Sequence, residues 1–235
     1  MKAAIMQPYF LPYIGYYQLI HASDLFIVYD NIQFTKQSWI NRNRILLNGK
    51  PMTFTLPVRK DTYTLNVNER FLADDSSKKI KTILGQIRSA YYMAPFFEKI
   101  YPVLEEIFCH KERNLFGYIY YSLLRTSEHL QMNLSKIKIS SSVNIKHDAL
   151  KFEEKVIAIN KAVGSDIYLN PIGGEMLYSK ETFRTHGIDL RFLRTGNIIY
   201  DQHHEGFVPS LSIIDVLMFN SPEEIKKMLG NYELV

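Results

Sequence analysis

The sequence has one cysteine, Cys109, and one tryptophan, Trp39, in 235 residues. A lone cysteine excludes an internal disulfide framework and fits a reducing compartment. No stretch approaches the ~20 apolar residues that a membrane-spanning helix needs. The uncharged run from Ala3 to Ser23 is interrupted by Pro8 and Pro12 and carries Gln7, Gln18 and several tyrosines, so it does not read as an export signal and a cytoplasmic protein is expected. There is no GxGxxG, Walker A, GxSxG or CxxC arrangement, which removes the common nucleotide, hydrolase and zinc signatures. Excess charge is absent too. The net charge is +4 and spread along the chain, leaving no footprint for duplex nucleic acid or an anionic membrane, although a small anion remains suitable.

What remains is ordinary globular material, 46% hydrophobic and 22% charged, in one large domain over 1–235 or one with an insertion. Aromatic residues are plentiful, with 16 Tyr and 14 Phe, and Tyr brings a polar tip to cores and ligand pockets alike.

Residues 2–7 predict a buried strand stopped by Pro8. Pro12 is expected to open a helix over about 12–22, with Tyr13, Tyr16, Tyr17 and Ile20 on its inward face. Asp24–Asp30 reads as a second buried strand, and this β-loop-α-β opening predicts an α/β fold with an open, mainly parallel sheet. Asn48-Gly49 predicts a type I′ hairpin over about 43–58. Residues 59–75 read as irregular. A helical insertion at about 77–132, broken near Pro95, Pro102 and Gly117, follows. Beyond it, strands at 137–143, 166–170 and 188–194 alternate with helices at 148–163 and 178–186 ended by Gly164 and Gly187. After a polar loop at 195–208, a short apolar helix is expected from Pro209 to Asn220. Ser221-Pro222-Glu223-Glu224 caps a final one.

Three constellations could carry chemistry. The first, MQPYFLPYIGYYQLI, is a strand-turn-helix junction at the sheet end where ligands and anions bind, and it makes Tyr9, Tyr13 and Tyr16 candidate substrate contacts. The opening is Rossmann-like and resembles that of HIGH-type nucleotidylyltransferases, with Tyr13-Ile14-Gly15-Tyr16 where those proteins carry His-x-Gly-His. A neutral phenol donates a hydrogen bond but cannot be a cation, so that chemistry loses its main electrostatic contribution. These tyrosines also serve as a plain buried stripe.

The second runs from Asp30 to Arg44 and gathers an acid, bases, amides and Trp39. Arg42 and Lys36 suit phosphate or carboxylate, Trp39 suits a ring, and Gln33, Asn41 and Asn43 suit sugar hydroxyls. A solvated polar loop anchored by Trp39 accounts for the same residues. The third set is sparser: Ser140 to Ser142, Gly173-Gly174 after Asn170-Pro171, and His203-His204 beside Asp201 and Glu205. The serine and Gly173-Gly174 turns suit backbone N–H groups approaching an anion of the substrate, or ordinary turn chemistry, while the histidines suit a general base or a metal ligand, although a histidine pair without a third ligand is poor evidence for metal. Cys109 reads as a buried, inert thiol.

At MQPYFLPYIGYYQLI, YDNIQFTKQSWINRNRI, YLNPIGGEML and FVPSLSIIDVLMFN the chain resembles the WbqC-like protein family over essentially its whole length. The resemblance implies a bacterial amino-acid transferase, in particular a glycine transferase, acylating an amino sugar during O-antigen or other surface-polysaccharide assembly. Asn31 stands where the family motif usually has a second Asp, and Asn170-Pro171-Ile172 departs from its glycine-bearing segment. Acyl transfer to an amine needs a base, oxyanion donors and a grip on phosphate. The candidate base is Asp30 or His204, the clamp Arg42 with Lys36, and the positioners Asn41 and Asn43. The expected partner is a small sugar nucleotide. No resident cofactor or metal is expected, and the acyl donor is left open among amino acid plus ATP, aminoacyl-tRNA and a carrier-bound thioester. Two other classes stand beside this reading, a HIGH-type nucleotidyl or adenylyl transferase and a non-catalytic sugar-nucleotide-binding partner.

Overall fold

The computed structural model describes residues 1–145, 150 and 152–235. In chain order the elements are β1 (Lys2–Met6), α1 (Ile14–Ala22), β2 (Leu25–Val28), β3 (Arg42–Leu47), β4 (Lys50–Thr55), α2 (Ser76–Tyr91), α3 (Phe97–Phe108) and α4 (Leu115–His129). They continue with β5 (Ile137–Ile139), α5 (Phe152–Ala162), β6 (Ile167–Pro171), α6 (Lys180–Thr185), β7 (Asp189–Thr195), α7 (Ile213–Phe219), α8 (Pro222–Gly230) and β8 (Tyr232–Leu234). The fold is α/β, as the alternation predicts. Six strands form one sheet in the order β5-β2-β1-β6-β7-β8, with every pairing parallel except β7 with β8. β3 and β4 form a separate antiparallel hairpin.

Successive strand residues face opposite layers. Ala4, Phe26, Val28, Leu169 and Leu193 join a large cluster shared with α1 and the helices α2 to α4, α7 and α8, whereas Ile5, Ile27, Tyr168, Leu190 and Phe192 pack beneath α5 and α6. Helices therefore cover both faces, which is why the strands read as continuous apolar runs. α1 is buried on nearly every side rather than on one face. Its buried Gln18 donates to the carbonyls of Met228 and Asn231 and so ties α1 to the end of α8.

Both Asn48 and Gly49 adopt positive φ, +51° and +72°, as a type I′ turn requires. Gly164 and Gly187 take positive φ after α5 and α6, and Ser221 is the expected N-cap of α8, where it also forms a capping box with Glu224. Other boundaries differ. Pro12 precedes α1, whose N-cap is Tyr13. α3 runs through Pro102, and Gly117 lies in the first turn of α4 with its N–H accepted by Asn114, so the break falls at 109–114 instead. A methyl group at Gly117 would press on Glu112, so glycine there serves close packing rather than interruption. The strand at 137 ends at Ile139, because Asp30 draws Ser140 and Ser141 into a 3-10 turn. α7 starts only at Ile213, capped by Ser212. The expected helix start at 148 lies outside the described residues. β8 was not expected.

Candidate functional site

Five parallel strands point their carboxyl ends at one edge of the sheet. Chain order moves from β1 outward through β2 to β5 and then returns to β6 and β7 on the other side, so the connections diverge between β1 and β6, where open α/β sheets form ligand crevices. Gln7 to Tyr13 crosses this edge. Asn43 Nδ2 donates to the carbonyls of Phe10 and Leu11, and Ser212 Oγ also donates to Leu11, which holds Leu11 at a φ of +45°. Asn43 is thus buried as a backbone clamp. Asn41 is likewise buried, donating to the carbonyl of Leu56.

The pinned turn delivers three tyrosines. Tyr16 is fully buried and donates to the carbonyl of Gln7. Tyr9 and Tyr13 are half-buried, and loss of solvent raises both phenols above the ordinary tyrosine range. The ring of Tyr13 folds back over the first turn of α1, where a methyl group at Gly15 would overlap it. That helix end has no side-chain cap and no acid in its first turn, so its positive end is not neutralised by protein groups.

Beside Tyr13, at the end of β7, lies a cavity of about 440 Å³ whose wall includes Thr195, Tyr200, Phe207 and Ser210. Tyr200 Oη donates to Asp215 Oδ1 at 2.6 Å, Gln202 Nε2 donates to the same oxygen at 2.8 Å, and Tyr91 Oη donates to Oδ2 at 2.8 Å. Asp215 has no exposed surface, and burial pushes its carboxyl above the ordinary range against the opposing pull of these three donors. Burial and the adjacent Asp215 also raise the Tyr200 phenol strongly.

Trp39 is connected to this cavity wall through Arg44. The guanidinium groups of Arg42 and Arg44 lie over its ring at 5.3 and 5.4 Å, since alternate residues of β3 share one face. Arg44 Nη2 donates to the carbonyl of Ser210, linking this stack to the cavity. The Nε groups of both arginines are buried and have no hydrogen-bond partner among the described residues. Lys36 is exposed, and Gln33 donates to the carbonyl of Tyr63.

Asp30, buried at the end of β2, is filled by other partners. Its Oδ1 accepts from Ser140 Oγ and the Ser141 N–H, and its Oδ2 from Asn68 Nδ2. Gly174 lies so close to Asn170 that a methyl group would collide with its side chain, while Gly173 faces open space. His204 is exposed and packs against Gly49 at the hairpin turn. That turn is six residues along β3 from Arg42, about 20 Å at ~3.4 Å per residue. Tyr9 lies by Tyr13 and Trp39 by Arg42, the second pair being linked to the cavity of Tyr13 through Arg44 and Ser210, while His204 is set apart from Arg42.

Three candidates escaped the sequence reading: Arg44, Tyr200 and Asp215. Arg44 was visible as the i+2 partner of Arg42 on a strand, and Asp215 as the lone acid inside the apolar run IIDVLMF. Cys109, expected to be buried, is exposed at the end of α3. Among the described residues no group of three His, Cys, Asp or Glu side chains could hold a metal ion, and no helix is long and apolar enough to cross a membrane.

The family model described as the WbqC-like protein family matches residues 7–227. An uncharacterized protein of Mycobacterium tuberculosis, Rv1507c, is 26% identical over 225 residues, covering 93% of each chain. No solved structure matches.

Proposed function

Because the chain belongs to the WbqC-like protein family, we propose that it transfers an amino acid, glycine first among the candidates, onto the amine of a nucleotide-linked amino sugar used in surface polysaccharide. The observation that carries this reading is the cavity walled by Tyr13 and Tyr200, where Tyr200 donates to the buried Asp215 and the carbonyl of Ser210 accepts from Arg44 of the Trp39 stack. The uncapped end of α1 and the unpartnered Nε groups of Arg42 and Arg44 suit a diphosphate, and Trp39 suits a nucleobase or sugar face. Lys36, exposed on the same loop, adds charge for the approach of an anion.

In this reading the sugar amine enters beside Tyr200 and attacks the glycyl carbonyl. Its proton passes to Tyr200 Oη while the phenol proton moves to Asp215, whose raised affinity for a proton suits it to the task. The leaving group departs with the electron pair of the broken acyl bond. Asp30, with both carboxylate oxygens already engaged, holds the Ser140 turn at the edge, and His204 belongs to the hairpin surface.

The test incubates the protein with nucleotide-linked amino sugars and each glycyl donor in turn, glycine plus ATP, glycyl-tRNA or a carrier thioester. Mass spectrometry should show the gain of one glycyl residue with one donor. A second reading, a sugar-nucleotide-binding partner without turnover, is favoured by the filled hydrogen bonding of Asp30 and the remoteness of His204. Tight binding with no mass gain across all donors would establish it instead.

A further inference from the structure

α1 runs from the carboxyl edge of the sheet back to the opposite edge, and its last turn opens on a second cavity, of about 290 Å³, bordered by α3, α4, α7 and α8. This is near the lower end of small-molecule pockets, roughly 300–1,000 Å³. Its interior is apolar, with Ile100, Leu217, Ile225 and Leu229 buried in the surrounding helices. Its border is basic. Lys99, Lys226, His21 and His129 are exposed around it and Lys136 is half-buried, whereas no Asp or Glu lines it among the described residues.

No carboxylate in the cavity wall answers these cations among the described residues. None of the three lysines forms an ion pair among the described residues, which other described lysines share, but here they stand together around one hollow. Lys136 Nζ is fixed by donation to the carbonyls of Ser23 at 2.9 Å and His21 at 3.4 Å, with Asp24 acting on it from outside the cavity. Burial and then the charges of Lys136 and Lys226 hold the His21 imidazole below its ordinary range, and burial with Arg125 does the same for His129. Like charges gathered around an apolar hollow repel each other until an anion joins them, and a ligand that filled only the hollow would leave that repulsion in place.

We propose that this cavity is a binding site for an amphipathic anion, a small molecule whose hydrocarbon or ring body fills the hollow while a phosphate or carboxylate lies among Lys99, Lys136 and Lys226. The site is at the sheet edge opposite the transfer cavity and does not depend on the function assigned there.

Octyl phosphate, below its micelle concentration, is the probe, with octanol and inorganic phosphate as the two halves of its chemistry. Calorimetry on the full chain should show octyl phosphate binding at least about tenfold more tightly than either half, and the double variant Lys99→Glu/Lys226→Glu should weaken it by about tenfold or more. Both positions are exposed, and circular dichroism checks that the variant folds. The imidazole NMR signals of His21 and His129 should move with octyl phosphate and stay still with octanol. No binding, octanol binding as well as octyl phosphate, or indifference to the double variant would overturn the proposal. Variant-sensitive binding to anionic phosphatidylglycerol vesicles without binding of soluble octyl phosphate would also overturn it, and would make this surface a membrane contact.

Discussion

The phenol of Tyr200 donates to Asp215 at 2.6 Å, joining a residue of the cavity wall to a carboxylate with no exposed surface. Asp215→Asn would turn an acceptor of three donors toward them with an amide N–H₂, leaving at least one donor unsatisfied. A loss of about 2–4 kcal/mol is expected, measured as a shift in urea midpoint. Tyr200→Phe removes a single bond at the cavity wall and should cost only about 1 kcal/mol.

The same carboxylate sets a pH dependence. Its folded pKa is raised, so between the unfolded and folded values the native state binds more protons than the unfolded one, and its contribution to stability falls as pH rises. The contribution is fully present below the ordinary carboxylate range and is lost by the time pH passes the raised value. Wild-type stability relative to Asp215→Asn should therefore decline as pH increases through that window in paired urea titrations. A relative gain with rising pH would contradict the assignment.

Trp39 is the only tryptophan and lies against Arg42 and Arg44, so its fluorescence reports directly on that stack. Titration with a nucleotide-linked amino sugar should change the emission saturably. Arg42→Ala should weaken the fitted affinity by about tenfold while altering stability by less than about 1 kcal/mol, as for a charge-assisted contact on a half-buried site. Unchanged affinity would remove Arg42 from the anion clamp.

Gly15 tests the placement of Tyr13. Alanine is the better helix former by about 1 kcal/mol, yet its methyl group would displace the Tyr13 ring. Gly15→Ala should leave the melting temperature within a few degrees of wild type and weaken sugar-nucleotide binding in the same fluorescence assay.

Features written by neighbouring residues were legible in the sequence. The Asn48-Gly49 turn, the glycines after α5 and α6, and the Ser221 cap all depend on local backbone preference, and the alternation of apolar runs was enough to foresee a mainly parallel sheet. β8 was not legible, because three residues make a strand only by pairing with β7. Asp215 was hidden for a related reason: its donors come from positions 91, 200 and 202, which only the fold brings together. Asn41 and Asn43 looked like ligand contacts by residue type. Asn43 on the inward side of β3, and Asn41 just before the strand, both turn onto backbone carbonyls instead. Arg70, within the stretch expected to be irregular, is buried over Phe34 and braces that loop through the carbonyl of Thr62.

The most direct measurement is the rate of glycyl gain on a nucleotide-linked amino sugar, compared between wild type and Tyr200→Phe with the donor that supports transfer. A wild-type gain that falls by about a hundredfold or more in Tyr200→Phe, with sugar-nucleotide affinity retained, is the expected result for a proton acceptor acting through this phenol. Transfer at the wild-type rate in Tyr200→Phe, or no glycyl gain from any donor, would contradict the account.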